Sequence, residues 1–185
     1  MLAEDAIRLE EETGLPAAVT IAQAALETGW GRRPILHRVE AQQALIRRER
    51  GRGEYTTLPD GAPSYNLFGI KRHRSGLPFV VCWDYARVGG NMTLVPDRFR
   101  RYASYAESLA DRNRFLHTNP RYAQALKTRD PFLFAVRLQE AGYAEDPQYA
   151  EKLHAIMRGR VLPRLERRRA EGGRTGKEGS GPPGW

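Results

Sequence analysis

The chain has 185 residues, of which 41% are hydrophobic, and this length and composition suit one domain with a packed core. No apolar run approaches the roughly 20 residues that a membrane-spanning helix needs, so we expect no insertion into a membrane. The formal net charge of +8 favours an anionic partner or simply keeps the protein soluble. A lone cysteine, Cys82, excludes a disulfide within the chain.

The N-terminal segment MLAEDAIRLEEETG predicts a short amphipathic helix that ends at Gly14. Its apolar face carries Leu2, Ala6 and Leu9. The segment contains acidic residues where a secretory signal has a basic region followed by an apolar stretch. We therefore expect no secretory signal here, and export by another route.

The next segment is apolar almost all round between Leu15 and Leu26, which predicts a buried helix. Gly29 is its expected end, because glycine adopts the left-handed conformation of a helix C-terminus at little cost. Glu27 then lies at the end of a buried element, where the helix dipole and the apolar Trp30 both oppose ionisation. A carboxyl group that keeps its proton near neutral pH can protonate the leaving oxygen of a sugar. A solvated glutamate at a frayed helix end is the alternative interpretation.

The segment from Ile35 to Pro63 begins with loosely periodic apolar residues that predict a helix, and its later glycines and prolines predict a loop. It carries a cluster of four arginines, Arg47, Arg48, Arg50 and Arg52. This cluster suits an acidic polymer, but a solvated insertion is the simpler interpretation and the one we favour.

Only one part of the chain has the composition of β-structure. The run Phe79–Tyr85 is rich in β-branched and aromatic residues, Gly89–Asn91 supplies a turn, and Met92–Val95 returns. We expect a β-hairpin, with Cys82 packed in its first strand. No obvious base accompanies this cysteine, so a nucleophilic role is unsupported.

The remaining signals are helical up to residue 169. Ser104 and Glu107 have the spacing of a capping box, Pro120 and Pro131 stand where helices begin, and Asp146 precedes the last helix. Residues 170–185 are rich in glycine, proline and serine, which predicts a disordered tail. We expect neither a metal nor another cofactor, because the four histidines lack ligand spacing: His37, His73, His117 and His154.

Five motifs occur in order along the chain: AQAALETGWG, SYNLFGIK, FRRYASYAESL, NPRY and AGYAEDPQYAEKL. Together they resemble the glucosaminidase domain of glycoside hydrolase family 73, over about residues 15–153. The family includes the cell-wall-cutting domains of flagellar rod-assembly proteins, bacterial autolysins and some phage lysins. The resemblance implies an α+β, lysozyme-like fold with a mainly helical body, a β-hairpin lobe and a cleft between them. Residues 1–169 would form this domain, with an inserted segment at about 36–63.

The resemblance also implies the catalytic residues. Glu27 corresponds to the general acid of the family. The second acid of the family lies on the hairpin in a Glu-Tyr pair, and here the corresponding pair is Asp84-Tyr85. Aspartate is one methylene shorter, which draws its carboxylate back unless the hairpin shifts. Tyr143 matches a tyrosine that lines the cleft, where its hydroxyl can bond the acetamido group of the substrate or the attacking water.

Five further residues complete the implied site. Asn66 and Phe68 are expected on its floor, with the Asn66 amide beside an N-acetyl group. Trp30 and Trp83 are candidates for stacking on a sugar, and we expect Trp83 on the hairpin to be the more exposed. Tyr122 is included as substrate-binding, although a structural role is the simpler interpretation.

The function implied is that of an endo-β-N-acetylglucosaminidase, which cuts the β-1,4 bond between N-acetylglucosamine and N-acetylmuramic acid in peptidoglycan. A muramidase or lytic transglycosylase on the same fold is the alternative enzyme. The departure at Asp84 also leaves open a wall-binding or assembly module whose catalysis has lapsed. A nucleic-acid binder is disfavoured, because the aromatic residues accompany acids and are not interleaved with the arginines.

The expected partners are the glycan strands of peptidoglycan, with no nucleic acid, and we expect a monomer. The place of action would be the periplasm or the cell wall. Without a visible secretory signal, this setting suits a phage lysin, a virion-associated enzyme or export by a dedicated apparatus.

Overall fold

The computed structural model describes residues 2–175, and this part of the chain is mainly helical with one pair of strands. The elements are α1 (Leu2–Thr13), α2 (Ala17–Thr28), α3 (Val39–Arg48), β1 (Phe79–Val88), β2 (Asn91–Arg100), α4 (Tyr105–Thr118), α5 (Pro131–Glu140), α6 (Tyr149–Ile156) and α7 (Leu162–Thr175). A π-helical segment, Met157–Val161, joins α6 to α7. The helices and the hairpin confirm the predicted α+β class.

The chain forms two compact units, which we call the first and the second unit. The first comprises Met1–Leu26 and Asn119–Trp185, and the second comprises Glu27–Thr118. In the first unit, α1 ends before Gly14, whose φ is 76°, and Ala6 is buried, as predicted. The α2 helix is apolar and buried along its length before Leu26, which confirms the prediction made from its composition.

The second unit contains the hairpin. Val88 pairs with Asn91, so the loop consists of Gly89 and Gly90 alone. Both glycines have positive φ, at 56° and 88°, which is the conformation that a two-residue hairpin turn with the right twist requires. The predicted hairpin is confirmed, and its second strand continues to Arg100.

The segment that precedes the hairpin is part of the core of the second unit. Ala41 and Leu45 of α3 pack with Phe79 and Val81 of β1 in one hydrophobic cluster. The amide of Arg38 donates to the Val81 carbonyl at 2.7 Å, which extends backbone bonding from this segment to β1. The interpretation of this segment as a merely solvated insertion is therefore wrong, although its arginine cluster is exposed.

The helix starts follow the predicted capping. The amide of Glu107 donates to Ser104 Oγ at 3.2 Å, and the Glu107 carboxylate accepts from the Ala103 amide at 2.7 Å. At the start of α5, the Asp130 carboxylate accepts from the Leu133 amide at 2.7 Å. These bonds satisfy amide groups that the first turn of a helix leaves without partners.

The predicted disordered tail begins too early in the sequence. The α7 helix continues to Thr175, whereas the disordered tail was predicted from residue 170. Residues 176–185 lie outside the described residues, so the disorder predicted there stays a prediction. Among the described helices, none combines the length and the apolar character that crossing a membrane requires.

Candidate active site

The last turn of α2 delivers Glu27 to an unusual backbone segment. The helix ends at Thr28, and the next three residues, Gly29, Trp30 and Gly31, all have left-handed φ angles of 56°, 62° and 78°. Gly29 is thus the helix stop that the sequence predicts. For a non-glycine residue such as Trp30 this conformation costs about 1 kcal/mol, so other contacts in the segment must compensate for it.

Hydrogen bonds and space at Gly29 hold this segment. Thr28 Oγ1 accepts from the Gly31 amide at 2.9 Å, and the Thr28 carbonyl accepts from the Arg33 amide at 2.9 Å. A Cβ atom on Gly29 would lie 2.8 Å from Arg33 Nε. The positive φ angle therefore favours glycine there, and a larger residue would also displace the flexible Arg33 side chain.

The surroundings of Glu27 favour its protonated form. Burial raises the pKa of the Glu27 carboxyl above its usual value, and the positive charge of Arg33 opposes this in part. The residue as a whole is nevertheless exposed, so its carboxyl remains within reach of solvent and of a ligand. Glu27 thus meets the electrostatic condition for a proton donor, and its catalytic role stays a prediction.

Asp84 and Asp97 of the hairpin form a cluster with Lys71, which precedes the hairpin, and we call these three charged side chains the Lys71 cluster. The Lys71 ammonium lies 2.8 Å from a carboxylate oxygen of Asp84 and 2.9 Å from one of Asp97. The register pairs Cys82 with Asp97. Since paired residues share a face and side chains alternate along a strand, Asp84, Cys82 and Asp97 lie on the same face.

Cys82 lies on the same face as the two carboxylates, and its thiol is a poor nucleophile. Burial, followed by the negative charges of Asp84 and Asp97, raises the pKa of the Cys82 thiol to about 12. The thiol therefore stays protonated near neutral pH, and only the thiolate is an effective nucleophile.

Asn66 anchors the segment that carries Lys71. Its amide nitrogen donates to the carbonyls of Ile70 and Arg100 at 2.9 and 3.1 Å, and its amide oxygen accepts from the amides of Phe68 and Ile70 at 3.3 and 3.1 Å. Two donors and two acceptors are all that an asparagine side chain offers, and the residue is only 3% exposed. The predicted contact between Asn66 and an N-acetyl group is therefore wrong, because backbone groups use both donors and both acceptors of the side-chain amide.

Phe68 is also a core residue. Its side chain is buried, and the guanidinium of Arg112 lies 5.2 Å from the centre of its ring. A ring in this position packs inside the second unit and is not available to a sugar. The prediction of Phe68 as a floor residue is corrected accordingly.

The exposures of the two candidate tryptophans are the reverse of those expected. Trp83 is half-buried against the cluster formed by α3 and β1, and its indole N–H donates to Glu40 at 3.2 Å. Trp30 is 37% exposed. The expectation that Trp83 is the more exposed of the two is wrong, because α3 covers the face of the hairpin to which Trp83 belongs.

Tyr143 lies in an aromatic cluster of the first unit. Its ring stacks on Tyr149, with centroids 5.7 Å apart, and lies 5.8 Å from the ring of Tyr122. Tyr122 and Tyr149 are buried, whereas Tyr143 is partly exposed. The Gln23 amide donates to the Tyr149 hydroxyl at 2.6 Å. Tyr122 therefore supports Tyr143 from the core and does not itself face a ligand, which corrects its inclusion among the substrate-binding residues.

Three charged residues near these positions were missed by sequence reasoning: Arg33, Lys71 and Asp97. Lys71 closes the SYNLFGIK motif, and counting outward from the two-residue turn would have placed Asp97 opposite Cys82. Arg33 gives no comparable signal, since its position depends on the left-handed segment. Among the residues that the structure describes, no three His, Cys, Asp or Glu side chains are grouped to hold a metal ion.

The site residues therefore include Glu27, a carboxyl with a raised pKa at a helix end, and Asp84, a carboxylate paired with Lys71 on the hairpin. Residues 3–160 match the family model described as mannosyl-glycoprotein endo-beta-N-acetylglucosaminidase. The chain belongs to this glucosaminidase family, glycoside hydrolase family 73, as its five motifs predict.

Relatives and solved structures agree with this family. The chain is 37% identical over 148 residues to peptidoglycan hydrolase FlgJ of Salmonella typhimurium, a match that covers 80% of this chain and 40% of that protein. The chain thus spans about two fifths of the length of this curated relative.

Two solved structures show the same fold. The C-terminally truncated glycoside hydrolase domain of Salmonella typhimurium FlgJ is 36% identical, with a TM-score of 0.63, and the match covers 85% of this chain and 91% of that one. A peptidoglycan hydrolase mutant from Sphingomonas sp. A1 is 33% identical, with a TM-score of 0.68 and coverage of 89% and 94%. The predicted lysozyme-like fold is confirmed.

Proposed function

We propose that this chain is a peptidoglycan hydrolase that acts as an endo-β-N-acetylglucosaminidase. The observation that carries the proposal is Glu27, a carboxyl with a raised pKa at the end of a buried helix, in the position where the family has its general acid. Family membership supports the reaction type. Salmonella typhimurium FlgJ, named as a peptidoglycan hydrolase, supports the substrate.

In the proposed reaction Glu27 donates its proton to the oxygen that links N-acetylglucosamine to N-acetylmuramic acid. The bond between this oxygen and the anomeric carbon breaks, and a water oxygen bonds to that carbon in its place. The water gives up a proton to Asp84, so that a reducing N-acetylglucosamine end and a free hydroxyl on the N-acetylmuramic acid result. Asp84 is assigned as the acceptor by its place in the family motif, and the Lys71 ammonium, 2.8 Å away, holds its carboxylate in position.

Two aromatic residues complete the proposal. Trp30 is the residue we assign to stacking on a sugar, because its ring is exposed close in sequence to Glu27. Tyr143 is assigned by the family resemblance to the acetamido group or the attacking water. A Tyr143→Phe variant tests this assignment of Tyr143. A lower kcat with the fold retained supports the assignment, and unchanged kinetics reject it.

The charge of the chain suits this substrate. Peptidoglycan carries carboxylates on its peptides, and a protein of net charge +8 is attracted to such a surface. We propose that the domain acts as a monomer at the cell wall, without a cofactor.

Analysis of the products tests the proposed function. Purified peptidoglycan digested by the protein should release fragments with reducing N-acetylglucosamine ends, as identified by mass spectrometry. Reducing or anhydro N-acetylmuramic acid would instead identify a muramidase or a lytic transglycosylase. No clearing of cell walls in a zymogram would identify a wall-binding module without catalysis.

The configuration of the fresh product tests the role of Asp84. If Asp84 activates water, the first product detected by proton NMR is the α-anomer, because water attacks from the face opposite the leaving group. A first product of retained β-configuration would show that the acetamido group of the substrate attacks instead, and would remove Asp84 as base.

A further inference from the structure

One ammonium group bonds two carboxylates on the face of the hairpin that carries Asp84. Lys71 lies 2.8 Å from Asp84 and 2.9 Å from Asp97, and each of the three side chains is about one third exposed. Burial lowers the pKa of Lys71, but the hydrogen bonds and charges of the two carboxylates outweigh burial and raise it overall. The Lys71 ammonium therefore stays charged, and the cluster lies within reach of solvent.

The backbone fixes Lys71 in this position. Lys71 forms a bridge with Phe99 of β2, and the flanking residues bond the same strand: the Arg100 amide donates to the Ile70 carbonyl at 3.0 Å, and the Arg72 amide donates to the Arg98 carbonyl at 2.9 Å. The buried Asn66 amide ties Ile70 from the other side. The lysine thus extends from a third strand-like segment beside β2.

Other charged and titratable groups interact with members of the cluster. The Cys82 thiol lies on the same face as the two carboxylates, and the charge of Arg38 also acts on this thiol. The charge of Asp97 acts in addition on Arg98, whose guanidinium is bonded to Glu49. Lys71 is the cation in direct contact with both carboxylates.

We propose that Lys71 is a positioning residue and that the second acid of this hydrolase is the Asp84–Asp97 pair held by Lys71, not Asp84 alone. This inference rests on the proposed function. Two neighbouring carboxylates repel each other, and without a shared cation one of them holds its proton more tightly. The ammonium of Lys71 removes this conflict and fixes the short Asp84 side chain on its face of the hairpin.

Asp97 has a distinct part in this arrangement. When Asp84 accepts the proton of the attacking water, it becomes neutral and its ion pair with Lys71 is lost. Asp97 remains charged and keeps the ammonium paired, so that proton uptake by Asp84 leaves no unpaired lysine in a partly buried place. The pair can then return the proton to water after the products leave.

Kinetics of Lys71→Met and Lys71→Arg test the positioning role. We expect Lys71→Met to lower kcat by about tenfold or more with little change in KM, and to move the acidic limb of the pH–rate profile to higher pH. Lys71→Arg should restore most of the wild-type kcat and most of the wild-type position of the acidic limb. The matched control is Lys152→Met, which removes another lysine–aspartate pair, that with Asp146. An unchanged acidic limb in Lys71→Met, or an equal shift in Lys152→Met, would overturn the proposal.

A titration that does not require activity separates this inference from the proposed function. In the wild type the side-chain carbon resonance of Lys71 should titrate above the usual lysine value, and both Asp84→Asn and Asp97→Asn should lower its midpoint. A midpoint that responds to Asp84→Asn alone would overturn the shared pair, whether or not the protein cuts peptidoglycan. If both substitutions lower it but the wild type releases no reducing N-acetylglucosamine, the pair stands and the proposed function fails.

Discussion

Glu27 and Asp84 are two acids of the same compact unit in opposite surroundings. At the end of α2, burial outweighs the positive charge of Arg33 and raises the pKa of the Glu27 carboxyl. On the hairpin, Asp84 shares the ammonium of Lys71 with Asp97 at hydrogen-bond distance. An inverting glycosidase needs one carboxyl that gives a proton and a second that takes one from the attacking water. Under the proposed function, the first role belongs to the helix end and the second to the hairpin.

The largest effect is expected at Glu27. Glu27→Gln keeps the shape of the side chain but removes its proton donation, which is worth about 10²–10⁴-fold in rate, and disturbed placement of water or charge adds to the loss. We expect hydrolysis of peptidoglycan to fall by several orders of magnitude, as measured by release of reducing ends. The circular dichroism spectrum should not change.

Gln23→Glu is not a useful control for this position, because Gln23 is buried and bonded to Tyr149. Glu11→Gln, on the exposed side of α1, is the matched substitution and should leave the rate unchanged. Cleavage by Glu27→Gln within tenfold of wild type, with the fold intact, would contradict the assignment of Glu27 as the acid.

The two acids also differ in how far the sequence predicts their surroundings. The buried α2 helix, its stop at Gly29 and the place of Glu27 follow from a run of apolar residues and one glycine, which are local signals. The Lys71 cluster depends on the hairpin register, which the two-residue turn sets, and on a bridge between Lys71 and Phe99, which has no local signature. The motif SYNLFGIK does not reveal that the Asn66 amide bonds the backbone or that the Lys71 ammonium contacts Asp84.

The next largest effect is expected at Asp84. Asp84→Asn keeps the size of the side chain but removes the charge that Lys71 bonds, so we expect a strong loss of turnover that is smaller than the loss in Glu27→Gln. Asp84→Glu restores the charge and the residue type of the family, and it should retain substantial activity. Undiminished cleavage by Asp84→Asn would show that the acetamido group of the substrate suffices and that Asp84 is a bystander.

A smaller effect separates the two tryptophans that belong to these regions. Trp30→Ala removes an exposed ring near Glu27, and we expect KM for glycan strands to rise a few-fold with little change in stability. Trp83→Ala removes a half-buried ring from the cluster with α3, and we expect it to lower the free energy of unfolding by about 1–2 kcal/mol. Denaturant titrations and Michaelis–Menten kinetics on both variants measure the contrast, and equal behaviour of the two variants would reject it.

The failed expectation for Trp83 has a definite cause. The composition of the hairpin predicts two strands with alternating faces, but it does not say which face a neighbouring element covers. The α3 helix, which the sequence pattern treats as part of a surface insertion, packs Ala41 and Leu45 on the face that carries Trp83. The face that carries Asp84 has the Lys71 cluster instead, and this asymmetry is a property of the tertiary structure.

The smallest effect expected is on stability, and its sign distinguishes the two regions. The pKa of Glu27 is raised above 4.5, so the unfolded chain loses this proton more readily than the folded one as pH increases past that value. Glu27 therefore lowers the free energy of unfolding near neutral pH, and Glu27→Gln should raise it slightly.

The pKa of Lys71 is raised above 10.5, so its ion pairs stabilise the fold below that pH and cease to do so only in stronger alkali. Lys71→Met should accordingly lower the free energy of unfolding near neutral pH, by a small amount because the cluster is partly exposed.

Urea unfolding near pH 7 and near pH 4 measures both changes. The gain in Glu27→Gln should disappear at the lower pH, where the wild-type carboxyl is protonated in both the folded and the unfolded chain, whereas Glu11→Gln should show no such dependence. A loss of stability in Glu27→Gln at both pH values would mean that the carboxyl makes a structural bond that the amide cannot replace. In that case burial at the helix end would serve the fold, and the contrast with the ion-paired Asp84 would no longer separate a proton donor from a proton acceptor.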